Sequence, residues 1–187
     1  MAFNSLEQQL LLAMPQLEDA WFKEAVILLL EHNEKGAMGF SINKPAPISI
    51  HDVLSQLNIV AQNVNAEAHP VVMGGPVQPE AGFILHPPTE QVWETSQAIN
   101  ETLWLTHSKD ILAAIAVGRG PKHSLIVLGY AGWEGAQLEQ ELLQNSWLNV
   151  PCPKDILFTV PLAERWRYAA NAAGINIDLL STDIGHA

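Results

Sequence analysis

Short apolar runs alternate with polar turns in the first part of the chain. Three of these runs have the length of a β-strand and cover residues 9–14, 25–30 and 37–42. Pro15 ends the first run, because proline has no N–H to donate to a neighbouring strand. The polar residues 31–36 contain a glycine, which is typical of a hairpin loop, so we expect the second and third runs to pair.

Two segments with helical spacing of apolar residues follow, and each has a serine in front of it. Ser49 precedes the first helix, and Ser108 precedes a helix expected to continue through Val117. Strands are predicted between them at residues 71–73, 82–86, 92–99 and 102–106. The last two of these strands are expected to form a second hairpin.

The last third of the chain alternates between strands and helices. Residues 155–160 predict a strand, and Pro161 is expected to start a helix that runs through Ala172 and is capped by Gly174. Together with the early hairpins, this predicts an α+β fold, in which a mixed sheet is covered by helices and a smaller layer is rich in hairpins. With no linker or repeat, residues 1–187 are expected to form a single domain.

Residues 127–138 form the stretch around which the remaining chain is predicted to be organised. An apolar run at residues 125–128 is followed by Gly129, Gly132 and Gly135, and then by leucines at helical spacing. This pattern predicts a strand, a tight turn and a helix. In such a turn Gly132 needs either a positive φ or a close backbone neighbour, so that Gly132→Val is expected to destabilise the fold.

Composition and charge restrict the function classes. The apolar fraction of 48% with six tryptophans is typical of a globular protein. A net charge of −11 repels phosphate backbones, so direct binding of nucleic acid is not expected. The single cysteine, Cys152, and the lack of a signal or membrane-spanning run predict a cytoplasmic protein that does not contact a membrane.

The search for catalytic patterns gives mainly negative results. Neither a nucleophile elbow nor a phosphate-binding loop is present, and the histidines are too scattered for a metal site, so no metal or cofactor is expected. Glu134, Glu139 and Glu141 are interpreted as a solvated helix face. The thiol of Cys152 has little local support for reactivity, because Lys154 is the only basic residue near it.

A candidate binding groove remains. The glycines at 74 and 75 and those at 129 and 132 each follow a strand-like run, and ligands collect where strands end and helices begin. We expect the two segments to face each other, with a histidine on the wall, and to bind a small anion or a peptide carboxylate. The alternative is that both are dry packing points, with the tryptophan packed over the sheet. The predicted site comprises Gly74, Gly75, Gly129, Tyr130, Gly132, Trp133, His32 and His86.

Several blocks of the sequence resemble the YqgE/AlgH family of bacterial proteins. They include Leu12-Ala13-Met14-Pro15, Asn43-Lys44-Pro45, Gly74-Gly75-Pro76-Val77, Leu128-Gly129-Tyr130-Ala131-Gly132-Trp133 and Gly185-His186-Ala187. Ala20 stands where the family often has proline. The resemblance implies an α+β fold, a cytoplasmic location and a proposed role in transcriptional regulation. It brings no agreed catalytic residues.

Two function classes follow from these observations. The first is a non-enzymatic regulatory or adaptor protein that acts through an unknown protein partner or a small anionic ligand rather than through direct DNA contact. The second is a small-molecule enzyme with a site around the turn at residues 129–133. A histidine with a strongly shifted pKa in a pocket would favour the enzyme.

Overall fold

The computed structural model describes residues 2–182, in which nine strands form one sheet and five α-helices pack against it. The strands are β1 (Gln9–Ala13), β2 (Val26–Asn33), β3 (Gly36–Ser41), β4 (Val71–Met73), β5 (Val77–His86), β6 (Gln97–Asn100), β7 (Leu103–Thr106), β8 (Leu125–Glu134) and β9 (Trp147–Pro151). The helices are α1 (Ile50–Gln56), α2 (Lys109–Ala116), α3 (Gln137–Leu143), α4 (Arg165–Ala172) and α5 (Ile177–Thr182). The terminal Gly185-His186-Ala187 block lies outside the described residues.

The order of the strands makes β8 the centre of the sheet. Along the main path the order is β6-β7-β5-β8-β3-β2-β1-β9, with antiparallel neighbours, while β4 pairs in parallel with β8. The strand β4 pairs with the first half of β8, and β3 pairs with its second half. Both therefore lie along the same edge of β8, one after the other. The predicted α+β class with a mixed sheet is confirmed, and both predicted hairpins, β2–β3 and β6–β7, are present.

Strands β1 and β2 are buried on both faces, which explains their continuous apolar sequences. Leu10 and Leu28 belong to a core that also contains residues of α4, whereas Leu11 and Ile27 belong to a core beneath α3. Successive residues of a strand point to opposite faces, so a strand covered on both sides needs an unbroken apolar run. A third core lies between the sheet and the helices α1 and α2.

The starts of the two predicted helices are confirmed within one residue. Ser49 caps α1 in a capping box, because its hydroxyl accepts from the N–H of Asp52 while the Asp52 carboxylate accepts from the N–H of Ser49. These bonds hold the pKa of the Asp52 carboxyl below its usual value. Ser108 precedes α2, although its hydroxyl donates to the Asp110 carboxylate and accepts no capping hydrogen bond from a helix N–H.

Several predicted elements are wrong. The strand β8 continues to Glu134, so the glycines at 129 and 132 lie within a strand and not in a turn before a helix. Residues 154–159 form turns, although 155–160 was predicted to be a strand. The strand predicted at 92–99 begins only at Gln97. The strand β9 and the helix α5 were not predicted.

In the part of the chain described, no helix is long and apolar enough to cross a membrane.

Candidate functional site

The predicted glycine groove is a crossing of two chain segments. The strands β4 and β5 lie on opposite edges of β8, so the connection through Gly74 and Gly75 passes over the β8 backbone. A Cβ atom on Gly75 would lie 1.8 Å from the carbonyl carbon of Tyr130, and one on Gly74 would lie 2.3 Å from the carbonyl oxygen of Gly129. Such distances leave no space for a side chain between the two backbones. The segments lie together as a packing contact, and a ligand-binding role for these glycines stays a prediction.

Of the two glycines in β8, only Gly129 has surroundings that require a glycine. Gly129 has a φ of +71°, and a Cβ on it would lie 2.5 Å from the carbonyl oxygen of Gly75. For Gly132, which is exposed and has no positive φ, the nearest atom to such a Cβ is Cε2 of Tyr130 at 3.9 Å. The prediction that Gly132 requires a positive φ or a close backbone neighbour is therefore wrong.

His32 and Trp133 lie on one face of the sheet beneath α3. Both pair with Ala37 across the strands, and directly opposite residues point to the same face. The N–H of Leu6 donates to Nδ1 of His32 at 2.9 Å, so the proton lies on Nε2, which donates to Glu139 at 2.9 Å. His32 is 3% exposed. It thus has the hydrogen-bonding pattern of a structural histidine.

The acidic face of α3 is not simply a solvated surface, contrary to the prediction. One carboxylate oxygen of Glu141 accepts from the indole N–H groups of Trp133 at 2.9 Å and Trp147 at 2.8 Å. The other oxygen accepts from the side-chain amide of Gln137. Glu139 binds His32, and only Glu134 among the three predicted surface carboxylates is exposed. The face holds two buried indoles and a histidine in position.

His86 lies at the other end of β8 from His32 and Trp133. It follows Leu85, which pairs with Leu125 at the start of β8. Trp133 lies near the end of β8, and His32 is in register with it through Ala37. Eight residues of strand separate these positions, which corresponds to roughly 26 Å. The structure therefore does not bring the two predicted histidines into one site.

The surroundings of His86 are buried and neutral. Its Nδ1 donates to the carbonyl of Pro87 at 2.9 Å, and its Nε2 lies 2.8 Å from the hydroxyl of Thr106. The ring of Trp93 packs edge-on against it, with 5.4 Å between centroids. Burial lowers the pKa of His86, while the bond to Pro87 raises it by a smaller amount.

This burial predicts a loss of stability in weak acid. The pKa of His86 is lower in the folded protein than its ordinary value of 6.5, so the unfolded chain binds more protons as the pH falls below about 6.5. We expect the urea midpoint to decrease between about pH 7 and pH 5. The variant His86→Asn should show a weaker dependence on pH, whereas His51→Asn, at an exposed position, should keep the wild-type dependence. Equal slopes for all three proteins would contradict the assignment.

A serine and histidine pair lies at the start of the parallel strands and was not predicted. The hydroxyl of Ser124 is 2.7 Å from Nδ1 of His69, and the two residues are 1% and 6% exposed. Val71 of β4 pairs with Ile126 of β8, and the same register two residues earlier places His69 beside Ser124. Burial, together with the nearby His123, lowers the pKa of His69, so its ring is neutral at neutral pH.

Several cavities lie next to these elements, and three of them are distinguished by their lining residues. One of about 380 Å³ contains Cys152, whose pKa is raised to about 11 by burial and by Asp155, so the thiol is protonated at neutral pH. A second cavity, the Gly82 cavity, has about 410 Å³ and lies between α1, α2 and strands β5 and β8. A third, the Arg165 cavity, has about 360 Å³ and includes Ser124 in its wall. Within residues 2–182 no group of three or more metal-binding side chains is present.

The Gly82 cavity has an apolar floor and polar edges. Its floor consists of Gly82, Ile84, Ile126 and Leu128, and its walls include Val53 of α1, Leu57 directly after α1 and Leu112 of α2. Its polar lining residues include Glu80, His107 and Lys109. A cavity of this size with mostly apolar walls and few polar groups is typical of small-molecule binding sites.

Comparisons with known proteins identify the family. A family model described as AlgH-like matches residues 10–178. A UPF0301 protein of Alcanivorax borkumensis is 45% identical over 183 residues, which are 98% of this chain and 97% of that protein. A UPF0301 protein of Pectobacterium atrosepticum is 46% identical over 187 residues, covering 98% of this chain and 100% of that protein.

Two solved structures have the same fold. The solution structure of AlgH from Pseudomonas aeruginosa is 42% identical, covers both chains completely and has a TM-score of 0.77. The crystal structure of a protein from Corynebacterium diphtheriae is 19% identical over 97% of this chain and 94% of that one, with a TM-score of 0.71, and supports the fold alone. On the extent of these matches, the chain belongs to the AlgH-like family.

Proposed function

We propose that this protein is a regulatory or adaptor protein that binds a small, mainly apolar molecule in the Gly82 cavity. The observation that carries the proposal is Gly82 itself. It pairs with Leu128 directly after the register shift between Val77 and Gly82, it has no positive φ, and a Cβ on it would meet only Cδ2 of Leu128, at 4.0 Å. Neither its φ nor a close backbone neighbour requires a glycine there.

A glycine inside a strand lowers the stability of the fold, and a ligand that needs the space beside the glycine would explain its presence. Glycine in a strand destabilises it by roughly 0.5–1 kcal/mol relative to alanine, and it often marks a place where a ligand approaches closely. Ile84 and Ile126 on the same floor are buried, whereas Gly82 is exposed to the open space. The missing side chain therefore widens a cavity whose other floor residues are apolar.

The charge of the chain supports a small ligand or a protein partner over nucleic acid. The net charge is −11, and only nine residues are lysine or arginine. One of these nine, Arg165, is 2% exposed, so it is not available to a phosphate backbone. Affinity for duplexes depends on several accessible cations that displace counterions. A regulatory role, which the family resemblance implies, would then operate without direct DNA contact.

The alternative of a small-molecule enzyme has one specific observation in its favour. Ser124 and His69 are a hydroxyl and a base at hydrogen-bond distance, the arrangement that activates a nucleophile. Against it, Ser124 is 1% exposed, and no carboxylate is hydrogen-bonded to the His69 ring among residues 2–182. Ligand binding therefore explains more of the structure than catalysis does.

Filling the cavity tests the proposal. We expect the wild-type protein to bind the fluorescent apolar probe 1-anilinonaphthalene-8-sulfonate saturably, and Gly82→Leu to weaken this binding by at least about tenfold, because the leucine occupies the floor. The folded state should not lose stability, since the side chain enters open space.

A leucine at Gly132 is the matched control. That glycine also lies in a strand, has no positive φ and has no neighbour closer than 3.9 Å to an added Cβ, but it does not line the Gly82 cavity. Gly132→Leu should bind the probe like the wild type. Equal affinity of the wild type and Gly82→Leu would show that the probe binds elsewhere and would refute the proposal.

A further inference from the structure

The first residue of α4 carries a buried positive charge. Arg165 is 2% exposed, and its guanidinium donates to three backbone carbonyls: from Nε to Val160 at 3.0 Å, from Nη2 to Leu157 at 2.8 Å and from Nη1 to Ile42 at 2.5 Å. These bonds connect α4 and the preceding turns to the end of β3. They explain the position of the side chain, but they do not neutralise its charge.

No carboxylate of the described residues pairs with Arg165. The two ion pairs found among residues 2–182 are His32 with Glu139 and Arg167 with Asp178. A guanidinium has five N–H donors, of which the three carbonyls use three. Burial lowers the pKa of Arg165 to about 10, so the group stays charged at neutral pH. A buried charge without a counter-charge is costly, and partial dipoles offset only part of that cost.

Arg165 lines the Arg165 cavity, which has about 360 Å³. Ser124 lies in the same wall, and its hydroxyl is bonded to the neutral ring of His69. In the tautomer of His69 that carries the proton on Nδ1, this nitrogen donates to the Ser124 oxygen, and the hydroxyl proton is then free to be donated to a third group. The remaining wall is largely apolar and includes Phe158, Pro161 and Leu162.

We propose that the Arg165 cavity binds a small monocarboxylic acid, whose carboxylate pairs with the Arg165 guanidinium and accepts the hydroxyl proton of Ser124. Carboxylate oxygens match the donor geometry of a guanidinium, and one negative charge balances one cation. The apolar wall beside Phe158 accommodates the carbon chain of the acid. The cavity is at the lower end of the usual range for ligand sites, which favours an acid of a few carbons.

The charge at the cavity edge favours a monoanion over phosphate. Glu67 is exposed and lines the same cavity. Its carboxylate repels a second negative charge on a ligand, and the net charge of −11 acts in the same direction. A monocarboxylate keeps the attraction to Arg165 with the least repulsion from Glu67.

The proposal is tested by NMR of the arginine side chains in the full chain. The sequence has three arginines, so the spectrum contains three Nε–H signals, and Arg119→Lys and Arg167→Lys identify the two others. Titration with propionate through the millimolar range should shift the Arg165 signal saturably, whereas chloride should not. The absence of a saturable shift, or an equal shift with chloride, would overturn the proposal. A stronger response to inorganic phosphate than to propionate would also overturn it.

Two variants test the contacts without removing Arg165. Ser124→Ala should weaken propionate binding by about tenfold, because a hydrogen bond to a charged group is lost, while Ser55→Ala at an exposed position of α1 should have no effect. Glu67→Gln, which changes only an exposed carboxylate, should strengthen binding about two- to fivefold at low salt. Unchanged affinity in both Ser124→Ala and Glu67→Gln would assign Arg165 a purely structural role.

Discussion

Replacement of Gly75 by alanine is expected to destabilise the protein by more than about 3 kcal/mol, or to prevent folding altogether. The added Cβ would lie 1.8 Å from the carbonyl carbon of Tyr130 and 2.0 Å from its oxygen. Both are backbone atoms of the central strand, so neither can move without disturbing its pairing. The measurement is the free energy of unfolding from urea denaturation followed by circular dichroism.

Gly132→Ala is the control for that experiment. It adds the same methyl group at a position in β8 that lies outside the crossing, where the nearest atom is 3.9 Å away. We expect a change in the free energy of unfolding within about 0.5 kcal/mol or a slight gain, because alanine is less flexible than glycine in the unfolded chain. If Gly75→Ala and Gly132→Ala were equally stable, the crossing would be looser than the structure indicates.

The glycines show why the central stretch could be recognised in the sequence but not interpreted correctly. Gly129, Gly132 and Gly135 have identical spacing, and spacing alone predicts a local turn. In the structure the glycine at 129 is required by a segment from elsewhere in the chain, since Gly75 lies against it. The crossing of the β4–β5 connection over β8 is a long-range feature, and a local pattern does not contain it.

Elements that depend on near neighbours could be predicted well. The hairpin from β2 to β3 follows from two apolar runs and the loop ending at Gly36, and α1 follows from the capping box that starts at Ser49. In both cases the stabilising contacts lie within a few residues along the chain, so the sequence pattern and the structure have the same cause.

The segment 155–160 shows the opposite case. Its apolar residues Ile156, Leu157 and Val160 are buried, as predicted strand residues would be. Two carbonyls of this segment accept from the Arg165 guanidinium, and none of it pairs in the sheet. The apolar composition therefore reflects contact with the core, while a side chain takes the place of a neighbouring strand as the hydrogen-bond donor.

The candidate cavities could not be predicted because their walls come from distant parts of the chain. The Gly82 cavity combines α1, β5, α2 and β8, and the Ser124 and His69 pair is separated by 55 residues. The register of β4 with β8 produces that pair, and a single sequence gives no indication of this register. The sequence shows a glycine at position 82, but only the structure shows the open space beside it, on which its proposed role depends.

Carboxylates on a helix surface are usually interpreted as solvated, and Glu141 shows where this interpretation is wrong. The indole donors that it binds come from β8 and β9, so its neighbours along α3 give no indication of them. Trp133 and Trp147 are 7% and 4% exposed, and their rings pack edge to face at 6.1 Å between centroids. One carboxylate oxygen thus fixes two large side chains of the core beneath α3.

Glu141→Ala is therefore expected to reduce the free energy of unfolding by about 2–3 kcal/mol, because two buried indole N–H groups lose a charged acceptor. Glu141→Gln keeps an acceptor oxygen without the charge and should lose about half as much. Glu134→Ala, which removes an exposed carboxylate at the end of β8, should change the value by no more than about 0.5 kcal/mol. Urea denaturation of the three variants at constant pH and salt provides the comparison.

A double-mutant cycle with Trp133→Phe assigns the effect to the hydrogen bond. Phenylalanine keeps an aromatic ring in the core but removes the indole N–H that donates to Glu141. If the bond contributes as proposed, Glu141→Ala should cost less in the Trp133→Phe background, with a coupling energy of at least about 0.5 kcal/mol. The remaining cost arises from Trp147, which still donates to the same oxygen. Full additivity, or a Glu141→Ala variant as stable as Glu134→Ala, would show that this carboxylate is solvated after all.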